Sequence, residues 1–191
     1  MAQSIDLSAH AMVGLTRETL VSLCAALLRE NGSQAAMHLQ NAGYAGGATL
    51  FDAFSQWLLA RGYGAPEAQP ASLFGQRATQ FFGELGWGSL DLGTVGDSVA
   101  SVDSRDWAES DPSSALEFPG CYLTTGLFAD FFGRLAGSPV AVMEVECRST
   151  GAERCRFLIA SGEVMQHVYD AMGNGLAYDA AVASVGAVSG G

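Results

Sequence analysis

Residues 144–157 read Glu144-Val145-Glu146-Cys147-Arg148-Ser149-Thr150-Gly151-Ala152-Glu153-Arg154-Cys155-Arg156-Phe157. The apolar run from Pro139 to Cys147 predicts a strand. Ser149-Thr150-Gly151 supplies turn residues, and Cys155 to Ala160 predicts the partner strand. Pairing of the two brings the sulfurs of Cys147 and Cys155 close together. A third thiol, Cys121, falls in the first turn of an upstream helix, where the positive end of the helix dipole favours a thiolate. Soft thiolates and one carboxylate, four ligands in all, suit tetrahedral zinc. On a regular strand Glu144 and Cys147 face opposite sides, as do Glu146 and Cys147. Either carboxylate reaches a shared metal only if the strand bends or ends there, and spacing does not choose between them. Two plainer readings stand beside the metal: inert core sulfurs, or a Cys147–Cys155 disulfide formed on oxidation.

Working outward from the hairpin, helix and strand signals alternate in blocks. A helix opens at Thr16, carries Leu20, Leu23, Cys24, Leu27 and Leu28 on one face, and ends at Asn31-Gly32. Cys24 is expected to be a small core residue. A short second helix is expected from Ser33 to about Asn41. A third begins at Thr49, with Asp52 three residues on, and stops at Arg61-Gly62. A fourth opens at Ser72 and turns Phe74, Ala78, Phe81, Phe82 and Leu85 inward. Residues 87–95 and 98–107 predict two antiparallel strands around Gly96-Asp97. The segment 103–118, with Asp103, Asp106, Glu109, Asp111 and Glu117, reads as a solvated acidic loop; its spacing does not match a calcium loop. The helix after Pro119-Gly120 turns Leu123, Leu127, Phe128, Phe131, Phe132 and Leu135 to one side and ends at Gly137. After the hairpin, Ser161 caps a helix with Val164, Met165, Val168 and Met172 inward, and a last short helix spans 176–183. The expected organisation is an arm over 1–14, a single domain over 15–184 and a flexible tail over 185–191. The expected class is α+β, with an antiparallel sheet of about four strands packed against a helical layer.

Composition narrows the function. The chain has 191 residues, 49% of them apolar and 15% charged, enough for a sizeable core and too apolar for a disordered chain. Its net charge of −11 argues against direct binding of nucleic acid or of an anionic membrane through the overall field. No apolar run approaches a membrane span, and the start lacks a basic region followed by an apolar stretch, so a cytoplasmic location is expected. His10, His38 and His167 are expected at the surface or in packing roles. No phosphate-binding glycine loop and no nucleophile elbow are present. With no catalytic constellation in view, a binding role is favoured over an enzyme.

The run Glu-x-Glu-Cys-x-x-x-Gly-x-x-x-Cys-x-Phe over 144–157, with Cys121 and an aromatic-rich helix upstream, resembles the vinyl-4-reductase (4VR) domain. That family supplies sensory domains of phenol- and xylene-responsive bacterial activators and shares a fold type with nitric-oxide-signalling and Golgi-transport proteins. The motif resemblance covers 121–157; a looser likeness in element order covers roughly 15–172. It implies a structural zinc held by Cys121, Glu144, Cys147 and Cys155, since the family's carboxylate stands three residues before the second cysteine. It also implies a small apolar cavity between helices and sheet, for which Phe81, Trp87, Phe128, Phe131 and Val142 are the candidate lining residues, with plain core packing as the alternative for each. Phenol-responsive members carry a hydrogen-bonding aromatic where this chain has Val142, which implies a more apolar or larger ligand than phenol. At 191 residues there is no room for the activators' ATPase and DNA-binding domains. The resemblance therefore implies a stand-alone sensor or carrier of an apolar or aromatic molecule. It would be a homodimer through its N-terminal helices, with a separate effector protein as a further partner. The alternatives are an enzyme or accessory in tetrapyrrole (bacteriochlorophyll-type) metabolism, and a ligand-free scaffold.

Overall fold

Gly43, Gly46 and Gly47 have the look of helix breakers, yet Ser33–Ala60 is one 28-residue helix. The two helices expected over this stretch are thus a single element, and the glycines have another purpose. In the computed structural model, which describes residues 5–188, this helix (α2) lies against a second, Tyr122–Ala136. A Cβ on Gly43 would sit 1.9 Å from the carbonyl oxygen of Leu123, and one on Gly126 would sit 1.9 Å from that of Gln40. At Gly47 the Cβ would meet that of Asp130 at 2.5 Å. The two backbones touch, and only glycine permits it.

The remaining elements follow the sequence closely. Helix α1 (Arg17–Asn31) starts at Thr16, whose hydroxyl accepts from the Thr19 N–H at 3.2 Å. A single residue, Gly32 at φ 52°, separates α1 from α2. Helix α3 (Ala71–Glu84) buries Ala78, Phe81 and Phe82. Strands β1 (Asp91–Val95) and β2 (Val99–Ser104) form a hairpin. Helix α4 (Tyr122–Ala136) ends at Gly137 in the left-handed conformation. Strands β3 (Ala141–Glu146) and β4 (Cys155–Ala160) form the second hairpin, and α5 (Gly162–Gly173) and α6 (Tyr178–Val188) close the described chain. The Ser161 hydroxyl caps α5 by accepting from the Val164 N–H. Among the described residues this makes six α-helices and four strands, an α+β architecture. Helix α6 continues beyond the expected 183; residues 1–4 of the expected arm and 189–191 of the expected tail lie outside the described residues. Within the arm, Ile5 and Met12 pack against the core.

All neighbouring strands are antiparallel, in the order β1-β2-β4-β3. The period-2 alternation of strands divides the sheet's side chains between two cores. Val102, Phe157 and Ile159 join the aromatic side chains of α2, α3 and α4. Val99, Leu158 and Ala160 pack with Met165 and Val168 of α5 and with Ala181 and Val182 of α6. Helices therefore cover both faces of the sheet, and no described helix is long and apolar enough to cross a membrane.

Tyr178 anchors α6 to the sheet. Its hydroxyl donates to Glu146 at 2.6 Å and accepts from Arg156 at 2.9 Å, while Arg156 also clasps Asp103 through two hydrogen bonds. Burial alone would raise the Glu146 carboxyl, but hydrogen bonds from Arg154 and Tyr178 prevail and hold it below the usual range. A carboxyl depressed in the folded state stabilises above its unfolded value and loses that contribution as pH falls. Tyr178→Phe is therefore expected to cost about 1 kcal/mol in urea unfolding at pH 7. The gap between wild type and variant should narrow as the solution is acidified.

Candidate metal centre

The β3–β4 hairpin answers the parity problem posed by the sequence. In the pairing, Glu144 lies opposite Phe157 and Glu146 lies opposite Arg156, so two residues of β3 are spent against one of β4. This bulge at Val145 shifts the facing of everything after it. Glu144 points with Phe157 toward the α4 side, Glu146 points with Arg156 toward α6, and the strand ends before Cys147. A three-residue 3₁₀ turn (Arg148–Thr150) and Gly151 at φ 91° then bring the chain back to Cys155. Cys121 arrives from the other direction, as the N-cap residue of α4.

The result is one cluster. The Sγ of Cys121 lies 3.8 Å from that of Cys147 and 3.9 Å from that of Cys155. The donor atoms of Cys121, Glu144, Cys147 and Cys155 all fall within 4.8 Å of one another. The three thiols are buried and free, so the cross-strand disulfide is not formed. A tetrahedral ion with metal–sulfur bonds of about 2.3 Å sets its sulfurs about 3.8 Å apart, the separation seen here. Glu144 Oε2 accepts from the Cys121 N–H at 2.8 Å, while its Oε1 is buried with no hydrogen-bond partner. An orphaned buried carboxylate oxygen is costly unless a cation or donor meets it.

The electrostatics favour a cation at the same place. Burial, followed by the nearby charge of Cys147, pushes the Glu144 carboxyl well above its ordinary range. Hydrogen bonds to Cys147 and Cys155, followed by burial, push the Cys121 thiol up. Four acidic groups confined in one buried site cannot all ionise unaided. A divalent cation supplies the compensating charge and reverses that balance. The buried cluster of three cysteines and one glutamate can thus bind a metal ion with protein ligands alone.

Other residues named from the sequence divide between the sheet's two sides. Glu146 is held on the α6 side by Arg154 and Tyr178, away from the thiols. Phe81, Phe128 and Phe131 have no solvent exposure and belong to one aromatic core, against which Trp87 and Val142 pack. The rings of Phe81 and Phe131 each meet that of Phe82 at 5.4 Å, and Trp87 stacks on Trp107 at 5.4 Å. Val142 also borders a cleft of about 720 Å³ between β3, the start of α4 and α5. A smaller opening of about 380 Å³ lies between the end of α4 and the sheet, bordered by Leu92, Val102, Phe132, Leu135, Val140 and Ile159.

Sequence reasoning missed the loop before α4. Glu109, expected in a solvated stretch, is buried, as are Trp107 and Ser110. Its carboxylate accepts from the backbone N–H groups of Leu123 and Thr124 at 2.9 and 2.8 Å. Burial pushes its carboxyl up to about 7. The one local signal is Trp107, a large apolar side chain in an otherwise polar run.

Comparison with known proteins agrees with this architecture. The phenol-responsive sensory domain of the transcription activator PoxR, solved with phenol, superposes with a TM-score of 0.62 at 15% identity, covering 81% of this chain and 78% of that one. A trafficking protein particle complex subunit 3 from Naegleria fowleri, covalently bound to palmitic acid, gives 0.54 at 12% identity, covering 75% and 91%. A vinyl-4-reductase family protein from Methanocaldococcus jannaschii gives 0.46 at 15% identity, covering 63% and 66%. Among curated proteins none matches the chain. The family model of the vinyl-4-reductase (4VR) domain matches residues 112–161. That segment contains all four donors of the cluster, and it assigns the metal-centre region of this chain to the 4VR domain family.

Proposed function

We propose that the protein is a small-molecule-binding domain, a sensor or carrier for an apolar or aromatic ligand, stabilised by a structural zinc ion. The observation that carries the zinc is the cluster itself: three free buried thiols at tetrahedral separations, with the unpaired Glu144 Oε1 beside them. Cys121, Glu144, Cys147 and Cys155 would hold the ion and leave no position open for substrate or activated water. Its role would be to tie the start of α4 to the β3–β4 hairpin.

Ligand binding is supported by the two solved relatives, whose bound molecules, phenol and palmitic acid, both have apolar bodies. In this chain the ligand would enter between α4 and the sheet. Phe81, Trp87, Phe128, Phe131 and Val142 belong to or border the core there, and the opening of about 380 Å³ falls within the range of small-molecule sites. Val142 offers no hydrogen bond to a phenolic hydroxyl. A homodimer would be built through the N-terminal helices, where Leu23 of α1 and Met37 and Tyr44 of α2 are exposed. The close packing of Phe81, Phe128 and Phe131 favours one rival reading, a ligand-free scaffold.

Fluorescence of Trp87 and Trp107 during titration with toluene and with phenol separates the two. Saturable change is expected for both, with toluene binding about tenfold more tightly, because a buried hydroxyl without a partner costs about 1–3 kcal/mol. No saturable change with either compound would favour the scaffold.

A further inference from the structure

We infer that Glu109 is a positioning residue of the metal centre, clamping the first turn of α4 so that Cys121 meets the other three donors. The inference rests on the metal reading given above. A helix ordinarily satisfies its first free N–H groups with the side chain of its N-cap residue. In α4 that residue is Cys121, and its side chain makes no cap hydrogen bond, because the sulfur is turned toward Cys147 and Cys155. The capping task passes to Glu109 in the preceding loop. One oxygen accepts from the Leu123 N–H at 2.9 Å, and the other accepts from the Thr124 N–H at 2.8 Å and the Thr124 hydroxyl at 2.5 Å.

The clamp is itself held. Trp107 Nε1 donates to the Thr124 hydroxyl oxygen at 2.7 Å, so that hydroxyl accepts from the indole and donates to the carboxylate. On the other side of the turn, Glu144 accepts from the Cys121 N–H. Two carboxylates therefore grip one helix start, one from the metal side and one from the aromatic core. A second buried acid beside three thiols is electrostatically unfavourable. The positive end of α4 offsets that cost, and the geometry of Cys121 is what it secures. Supporting groups of this kind typically change metal affinity about 10–100-fold when removed.

The test is zinc affinity, by competition with a chromogenic chelator, together with the absorption spectrum of the Co²⁺-loaded protein. Wild type, Glu109→Ala, Glu109→Gln and Thr124→Val are compared well below their melting temperatures. Glu109→Ala is expected to weaken zinc about 10–100-fold and to alter the thiolate-to-cobalt bands. Glu109→Gln, which keeps one acceptor oxygen, should recover part of both. Wild-type affinity and an unchanged cobalt spectrum in Glu109→Ala and Glu109→Gln, even with a lowered melting temperature, would overturn the inference and leave Glu109 a purely structural cap. If Glu109→Ala does not fold, Glu109→Gln and Thr124→Val decide by the same two readouts. A wild-type protein that binds neither metal would instead overturn the metal reading, and the inference with it.

Discussion

Cys155→Ala is expected to empty the metal centre and to lower stability by more than about 4 kcal/mol, a range reached by few single substitutions. Cys155 opens β4, pairs with Ser104 across the sheet and has no solvent exposure. Alanine there removes one of four ligands. The remaining donors would have to accept a water in a site closed to solvent. Structural zinc contributes about 10–16 kcal/mol of apparent binding free energy in small peptides at neutral pH. Losing a modest part of that exceeds any cost of the small cavity. Metal analysis and urea unfolding should show a near-complete loss of metal together with a large drop in midpoint, and a chelator should bring wild type toward the same state. Glu144→Gln should also lose metal. Glu146→Gln should not, because Glu146 lies across the sheet with Arg154 and Tyr178. Full metal content in Cys155→Ala would show that Cys155 is not a ligand.

Gly126→Ala should be nearly as damaging, for a reason unrelated to the metal. The added methyl would sit 1.9 Å from the Gln40 carbonyl oxygen and 2.7 Å from its carbon. Both are backbone atoms of α2, so no side-chain rotation relieves the clash. Helices α2 and α4 would have to separate, opening the seam beside Phe54, Phe128 and Phe131. Overpacking of this kind costs about 1–3 kcal/mol and more when backbone must move; about 3 kcal/mol or more is expected by thermal or urea unfolding. Gly46 is the internal control. It is exposed on α2, and a Cβ there meets nothing within 4 Å. Gly46→Ala should stabilise by about 0.5–1 kcal/mol through helix propensity. Equal effects at the two positions would contradict close backbone packing as the purpose of the buried glycines.

The glycines also show where reading the sequence stops. Gly43 and Gly47 carry one local signal, a weak helix position, and it is the same whether a glycine breaks a helix or admits a neighbouring backbone. Only the partner helix distinguishes them, so α2 reads as two helices in the sequence. The strands, the turn at Gly96-Asp97, the Gly137 terminus of α4 and the Ser161 cap of α5 are legible because each depends on residues within one turn of the feature. The convergence of Cys121 with Cys147 and Cys155 is legible as a donor set. Its geometry is not, because the bulge at Val145 that brings Glu144 to the thiol side arises from pairing with β4 and has no mark of its own in the strand. Glu109 escapes the sequence for a similar reason. A run of Asp, Glu and Ser looks solvated until the N-terminus of α4, brought alongside by the fold, supplies two N–H donors.

Zinc K-edge X-ray absorption on the purified chain, with metal content measured on the same sample, tests the centre most directly. One zinc per chain is predicted, with three sulfur neighbours at about 2.3 Å and one oxygen neighbour at about 2.0 Å. A chain that holds no stoichiometric metal, or a metal whose nearest neighbours include no sulfur, would contradict it.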